Sequence, residues 1–245
     1  MNGNFYELLR SHFSSALDRE FLAPPEAPSV TYRWIDDRSA RFAGVLRSRG
    51  VLPGDRVMVQ VAKSVDAVAL YLASLRVGAV YVPLNTSYVD AEVDSFVEDA
   101  EPRLLVTDVD GAVRHPEGVE TTRVSLPHLS AEAATIEPST TIEVRLADDL
   151  AAMLYTSGTT GRSKGAMLTH ANLASNALAL HRIWRFEPGD VLLHVLPIFH
   201  VHGLFVALHT AMLNASTVLF LSRFSVDATI GALRDATVMM GVPTH

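Results

Sequence analysis

The chain has 245 residues, 49% hydrophobic by a broad count and 19% charged, which provides ample apolar surface for a packed core and excludes a disordered chain. It contains no cysteine, so disulfides, thiolate chemistry and cysteine-ligated metal are excluded for this sequence. A formal charge of −7, with no basic run, argues against nucleic acid and anionic membrane as partners. Of the 20 basic residues only Lys63 and Lys164 are lysines, so each is worth locating.

Taken in chain order, the start Met1-Asn2-Gly3-Asn4-Phe5-Tyr6-Glu7 lacks the basic flank and apolar stretch of a signal peptide, and the expected location is cytoplasmic. Pro53-Gly54-Asp55 is a turn feeding a strand over 56–61. An Ala/Leu-rich helix follows over 64–77 and ends at Gly78. A strand over 79–84, a helix capped by Asp90 and running to about 100, and a strand over 103–107 come next. Residues 108–149 are polar and weakly periodic, with Pro116, Pro127 and Pro138. They read as surface strands and loops bridging two α/β units, at about 5–107 and 150–245. The second unit opens with a strand over 151–155. Beyond it lie a helix over 170–183 capped by Thr169, a strand over 191–196, a helix over 204–213 and a strand over 217–221. Residues 191–222 carry no Asp, Glu, Lys or Arg, a length that could span a bilayer. Pro197, Gly203, Asn214 and four histidines interrupt the stretch, and it reads as buried core instead. Strands alternating with helices predict an α/β fold of parallel-rich sheets covered by helices.

The chemistry concentrates after the strand at 151–155, in Thr156-Ser157-Gly158-Thr159-Thr160-Gly161-Arg162-Ser163-Lys164-Gly165. Glycines let successive backbone N–H groups turn inward as an anion-binding nest. The hydroxyls add donors and Lys164 a movable charge, so the guest this loop suits is a polyphosphate. The common nucleoside-triphosphate loop requires Gly-Lys-Ser/Thr after four residues. Here Arg162 and Ser163 separate Gly161 from Lys164, and that loop type is excluded. Lys63, at a helix entry, reads as a solvated residue, and Asp148 and Asp149 as a solvated turn. His200 and His202 are two residues apart and would share one face of a strand. With His194 nearby a zinc site is one reading, but no carboxylate or cysteine lies at ligand spacing, and no metal site is assigned. A satisfied buried histidine is another.

The string from Tyr155 to Gly165 resembles the phosphate-loop signature of the adenylate-forming (AMP-binding) acid–CoA ligase superfamily, with Ser163 where proline is usual. Three further stretches look most like the malonyl-CoA synthetases (malonate–CoA ligases): Val59-Gln60-Val61-Ala62-Lys63-Ser64, residues 69–85, and Leu196-Pro197-Ile198-Phe199-His200-Val201-His202-Gly203-Leu204. The resemblance runs from Phe5 to His245 and implies the N-terminal part of the large domain of such an enzyme. A C-terminal lid domain would lie outside this sequence, and the 245 residues alone would not complete a turnover.

By that resemblance the cosubstrates are ATP with Mg²⁺ and CoA, and the partners a small carboxylic acid and the rest of the enzyme. Thr156, Ser157, Gly158, Thr159, Thr160, Gly161 and Lys164 would bind ATP, with Lys164 catalytic. His200 and His202 would wall the acid pocket, and Arg223 would reach a CoA phosphate. Malonate or methylmalonate is the expected acid. A medium-chain or aryl acid ligase and a non-catalytic nucleotide-binding module are the rival readings.

Overall fold

A computed structural model describes residues 2–109, 121–156 and 164–242. The first helix, α1 (Phe5–Phe13), begins at Asn4, whose side chain accepts the Tyr6 N–H at 3.0 Å and donates to the Leu75 and Glu143 carbonyls. After β1 (Glu20–Ala23) and β2 (Val30–Thr31) comes α2 (Tyr32–Ser48), capped by Thr31. The predicted alternation then appears as β3 (Arg56–Gln60), α3 (Val65–Arg76), β4 (Val80–Pro83), α4 (Asp90–Ala100) and β5 (Leu104–Thr107). Ser64 caps α3 by accepting the Ala67 N–H at 3.2 Å. Gly78, at φ +71°, supplies the left-handed residue that ends its turn. Asp90 is not a cap: it is the first residue of α4, and Glu92 reaches back to the Val89 N–H at 3.0 Å.

Within the expected bridge, residues 121–135 are more ordered than surface loops. They form β6 (Thr122–Ser125) and α5 (Leu126–Thr135), which buries Leu126, Leu129 and Ala133. Pro127 sits in the first turn of α5, where its missing N–H has no intrahelical partner to lose. The remaining elements are β7 (Leu150–Thr156), β8 (Lys164–Thr169), α6 (His170–Trp184), β9 (Val191–His194), a π-helix (His202–Leu208), α7 (His209–Asn214), β10 (Thr217–Phe220), α8 (Val226–Ala232) and β11 (Val238–Met240). Strand β8 occupies residues expected to be loop. The last element, β11, is a short strand at a sheet edge, and residues 243–245 lie outside the described residues.

Among the described residues there are two sheets, ordered β6-β5-β3-β4-β7-β8 and β11-β9-β10-β1-β2. Every pairing is parallel except β7 with β8 and β1 with β2. The two expected units do not correspond to the two sheets. Strands β1 and β2 leave the first unit to join β10, and β7 and β8 leave the second to join β4. The central strands pair where both their faces are covered, and crossover connections carry the chain there regardless of sequence distance. The outer face of the six-stranded sheet (Met58, Val80, Val82, Leu105) is covered by Val93, Phe96 and Val97 of α4. The outer face of the other (Leu193, Val195, Leu221) packs on Ala232 of α8. Helices α1, α2, α3, α5, α6 and α7 share the principal core. Among the described residues no helix is long and apolar enough to cross a membrane.

Helix α3 is buried on every side, from Ala67 through Arg76, as an all-round apolar helix must be. Its one buried charge, Arg76, is 3% exposed and pairs with Asp36 of α2. The guanidinium also donates to Ser39 Oγ at 3.0 Å and Tyr6 Oη at 2.7 Å, and Tyr6 donates to Asp36. Burial, with the Asp36 carboxylate adding to it, pushes the Tyr6 phenol well above its ordinary pKa, so it stays protonated. Removing the carboxylate leaves a buried cation with no counter-charge. Asp36→Ala is therefore expected to cost about 3–5 kcal/mol in urea unfolding. Asp37→Ala breaks only the exposed pair with Arg41 and should cost less than about 1 kcal/mol. Equal losses for the two variants would refute this account of the core.

Candidate active site

The hydroxyl- and glycine-rich string joins β7 to β8. The two strands pair antiparallel, and Thr156 lies opposite Lys164 in the register. Ser157, Gly158, Thr159, Thr160 and Gly161 lie outside the described residues. Thr156 and Lys164 are therefore the described residues on either side of the loop, and both are exposed. Lys164 begins a strand instead of lying within a loop. The hairpin is anchored below: Tyr155 donates to Asp99 of α4 at 2.6 Å, and its ring lies 4.3 Å from that of Phe96. At the far end of β8, Thr169 accepts the Asn172 N–H at 3.1 Å while Asn172 accepts the Thr169 N–H at 3.0 Å. This reciprocal cap starts α6 where predicted.

His200 and His202 do not lie on a strand. Strand β9 ends at His194, and the chain turns through residues 195–201 into the π-helix that starts at His202. Both imidazoles nevertheless line one cavity of about 480 Å³, together with Leu196, Pro197, Val201, Gly203 and Val242. That cavity lies beyond the carboxyl ends of β9 and β11, where parallel sheets bind ligands. Neither imidazole hydrogen-bonds to a described residue, so their ring nitrogens are available to a guest. The other described residues of the wall are apolar or glycine.

Lys63 is not a solvated residue. Its Nζ lies 2.7 Å from His194 Nδ1 and 2.8 Å from the His194 carbonyl, with the Phe220 ring centroid 4.3 Å away. Burial draws its pKa well below that of an ordinary lysine. The sequence signal missed here was the stem: four methylenes let a residue at a strand exit reach inward. Arg223 is exposed in the bend after β10, lines no part of this cavity and has no partner among the described residues. Asp149 accepts the Leu146 N–H at 2.8 Å and pairs with Arg145, closing a turn. Among the described residues no three His, Cys, Asp or Glu side chains are grouped to hold a metal.

A family profile described as "AMP-binding enzyme" matches residues 12–245. The chain belongs to the AMP-binding enzyme family. An oxalate–CoA ligase of Arabidopsis thaliana is 31% identical over 80% of this chain and 40% of its own length. A malonate–CoA ligase of the same plant is 34% identical over 80% of this chain and 36% of its own. Among solved structures, MatB of Rhodopseudomonas palustris superposes with a TM-score of 0.94 in its apo form, at 44% identity. Its ATP-bound form gives 0.91 at 42%. Both comparisons cover all of this chain and 50% of MatB. The chain thus spans about two-fifths to half of these relatives, over their N-terminal portion. The expected AMP-binding fold with parallel-rich sheets is the one observed.

Three buried histidines stand around this AMP-binding core. Burial pushes His194 down to about 3, His209 to about 3 and His170 to about 4. The Lys63 charge adds to the effect at His194, and Arg145 at His170. His209 is held by Tyr71 at 2.8 Å, and His170 Nδ1 accepts the Phe5 N–H at 3.1 Å. An unfolded histidine titrates near about 6.5. As pH falls below that value the unfolded chain binds protons that the native chain refuses. Stability should be full above about pH 6.5 and fall toward pH 4, by up to about 1.4 kcal/mol per pH unit for each site. Urea midpoints at pH 7.5, 6 and 5 test this. His209→Gln should flatten the dependence, and an unchanged slope would place the titrating groups elsewhere.

Proposed function

We propose that this chain carries the nucleotide- and acid-binding part of an ATP-dependent acid–CoA ligase acting on a small dicarboxylate, malonate or methylmalonate in the first instance. The observation that carries the substrate class is the cavity, a largely apolar pocket in which two imidazoles have no hydrogen-bond partner among the described residues. A fatty-acid pocket would gain nothing from them, because a polar group covered by an acyl chain costs free energy unless it is hydrogen-bonded. A second carboxylate that stays ionised needs such donors. The names of the oxalate– and malonate–CoA ligases among the relatives support a short dicarboxylate. A feruloyl-CoA synthase at 33% identity marks the aryl alternative.

In the proposed reaction the acid's carboxylate attacks the α-phosphorus of ATP, bound with Mg²⁺. Acyl-AMP forms and pyrophosphate leaves; the CoA thiol then displaces AMP. A free carboxylate is a poor electrophile, and the first step gives it a good leaving group. Negative charge grows on the departing β,γ-phosphates, and donors fixed before the reaction stabilise it most. Lys164 supplies such a donor from a paired strand, opposite Thr156 in the register. Arg223, exposed and without a partner among the described residues, is assigned to a CoA phosphate. His200 and His202 orient the acid.

Two outcomes check this in the full-length enzyme. Lys164→Ala should slow ATP–pyrophosphate exchange roughly 10²–10³-fold while weakening AMP binding far less, as for loss of one preorganised donor. Exchange at the wild-type rate would remove Lys164 from the chemistry. His202→Leu should lower kcat/KM for malonate by about 1–3 kcal/mol, the value of one buried hydrogen bond to a charged group. Acetate or propionate should lose less. Equal loss for both acids would assign the histidine to the fold or to the general adenylation site.

A further inference from the structure

Lys63 has no part in the chemistry above, yet its surroundings are specific. It follows β3 at the carboxyl end of the six-stranded sheet and crosses to β9 of the other sheet. Its contacts among the described residues are the Nδ1 and carbonyl oxygen of His194 and the Phe220 ring, none of them a carboxylate. His194 is 1% exposed, and its Nε2 lies 2.8 Å from the Gly203 carbonyl oxygen. A carbonyl only accepts, so Nε2 carries the proton. Nδ1 is then an acceptor, and Lys63 donates to it. A single tautomer satisfies all three groups.

Gly203 is the second residue of the π-helix. It packs so tightly that a Cβ there would lie 2.1 Å from the Pro197 carbonyl oxygen, and only glycine fits. Its own carbonyl is held by His194. A carbonyl engaged by a side chain is one of the ways a helical ladder is diverted, and π turns mark such places. The two contacts fix where the wide turn begins. That turn presents His202 to the cavity, directly after His200 and Val201.

We propose that Lys63 is a positioning residue for the acid pocket: through His194 it holds the Gly203 carbonyl, and so the register of the turn that presents His202 to the acid. Its consequence for the acid rests on the ligase reading; its geometry does not. Lys63 itself touches no reacting group.

The test has two readouts, on Lys63→Met and on Lys63→Gln, which keeps an N–H donor on a shorter stem and serves if the methionine variant fails to fold. In ¹⁵N-histidine-labelled protein, long-range ¹H–¹⁵N spectra should show His194 as the Nε2–H tautomer. Lys63→Met should give a mixture of tautomers, and an unchanged tautomer overturns the proposal. In ATP–pyrophosphate exchange by the full-length enzyme, Lys63→Met should raise KM for the acid about tenfold. KM for ATP and the rate at saturation should stay within about twofold, and Lys63→Gln should fall between wild type and Lys63→Met. Parallel rises in both KM values would show general structural damage and overturn the positioning role. Wild-type exchange with an unchanged acid KM in Lys63→Met fails the positioning role alone. Absence of wild-type exchange with every acid fails the ligase reading itself, while the spectra still decide the Lys63–His194 link.

Discussion

The constraint on which this fold depends is a helix with no solvent face. Helix α3 is buried from Ala67 to Arg76, so neighbours must surround it on every side. The sheets and helices of the main core are the only apolar surfaces that can do so. Such a helix must still end somewhere, and its last residue is a charged one. Arg76 is tolerable because Ser39 accepts from its Nε, Tyr6 and Asp36 accept from its Nη2, and its own carbonyl accepts the Glu143 N–H at 2.8 Å. The side-chain partners come from α1 and α2, so the pairing of α3 with the N-terminal helices is specified by charge as well as by shape.

With the helices sandwiched, the parallel strands of both sheets release their carboxyl ends into the irregular segments that carry the site. Strand β7 leads into the hydroxyl-rich loop, β3 into Lys63, and β9 into the cavity wall. Backbone groups at strand exits are unpaired, and side chains there are not committed to the core, which is why α/β sheets bind ligands at that edge. The histidines illustrate the division. His209 and His170 face the packed helices and are bonded into structure on one ring nitrogen, whereas His200 and His202 line the cavity with no hydrogen bond to a described residue.

The alternation of β3, α3, β4, α4 and β5 was legible because each element is buried on both faces or capped by a local residue, signals that sit within a few positions of one another. Lys164, His200 and His202 stood out because their residue types are rare or misplaced in a core. Three things were hidden for physical reasons. Strand β8 lies at a sheet edge with Ala166 and Met167 exposed, and its apolar run, Ala166-Met167-Leu168, is too short to announce a strand. The exchange of β1 and β2 between sheets depends on contacts between residues more than 100 positions apart, which no local window contains. Lys63 read as solvent-facing because its neighbours predict a helix entry correctly; what they cannot predict is that a strand from the other sheet ends within reach of its stem.

That last contact has a consequence for how the two halves of the site are held together. The hairpin with Thr156 and Lys164 belongs to the six-stranded sheet, and the cavity with His200 and His202 to the end of the five-stranded one. In the proposed reaction nucleotide and acid would meet with reacting atoms about 3–3.5 Å apart, where a misplacement of about 1 Å costs roughly a hundredfold in rate. The buried helices set the spacing of the sheets in their middle, but a rigid middle does not by itself fix the edges. At the ligand-facing edge, the Lys63 amine and the His194 ring and carbonyl form a direct tie between the exits of β3 and β9. Tyr155 and Asp99 hold the hairpin to α4 on the other side. One contact thus ties the two sheets together at this edge and the other ties the hairpin to its own sheet's helix, and under the proposed reaction these edge contacts add to the hydrophobic core in holding the two halves of the site in place.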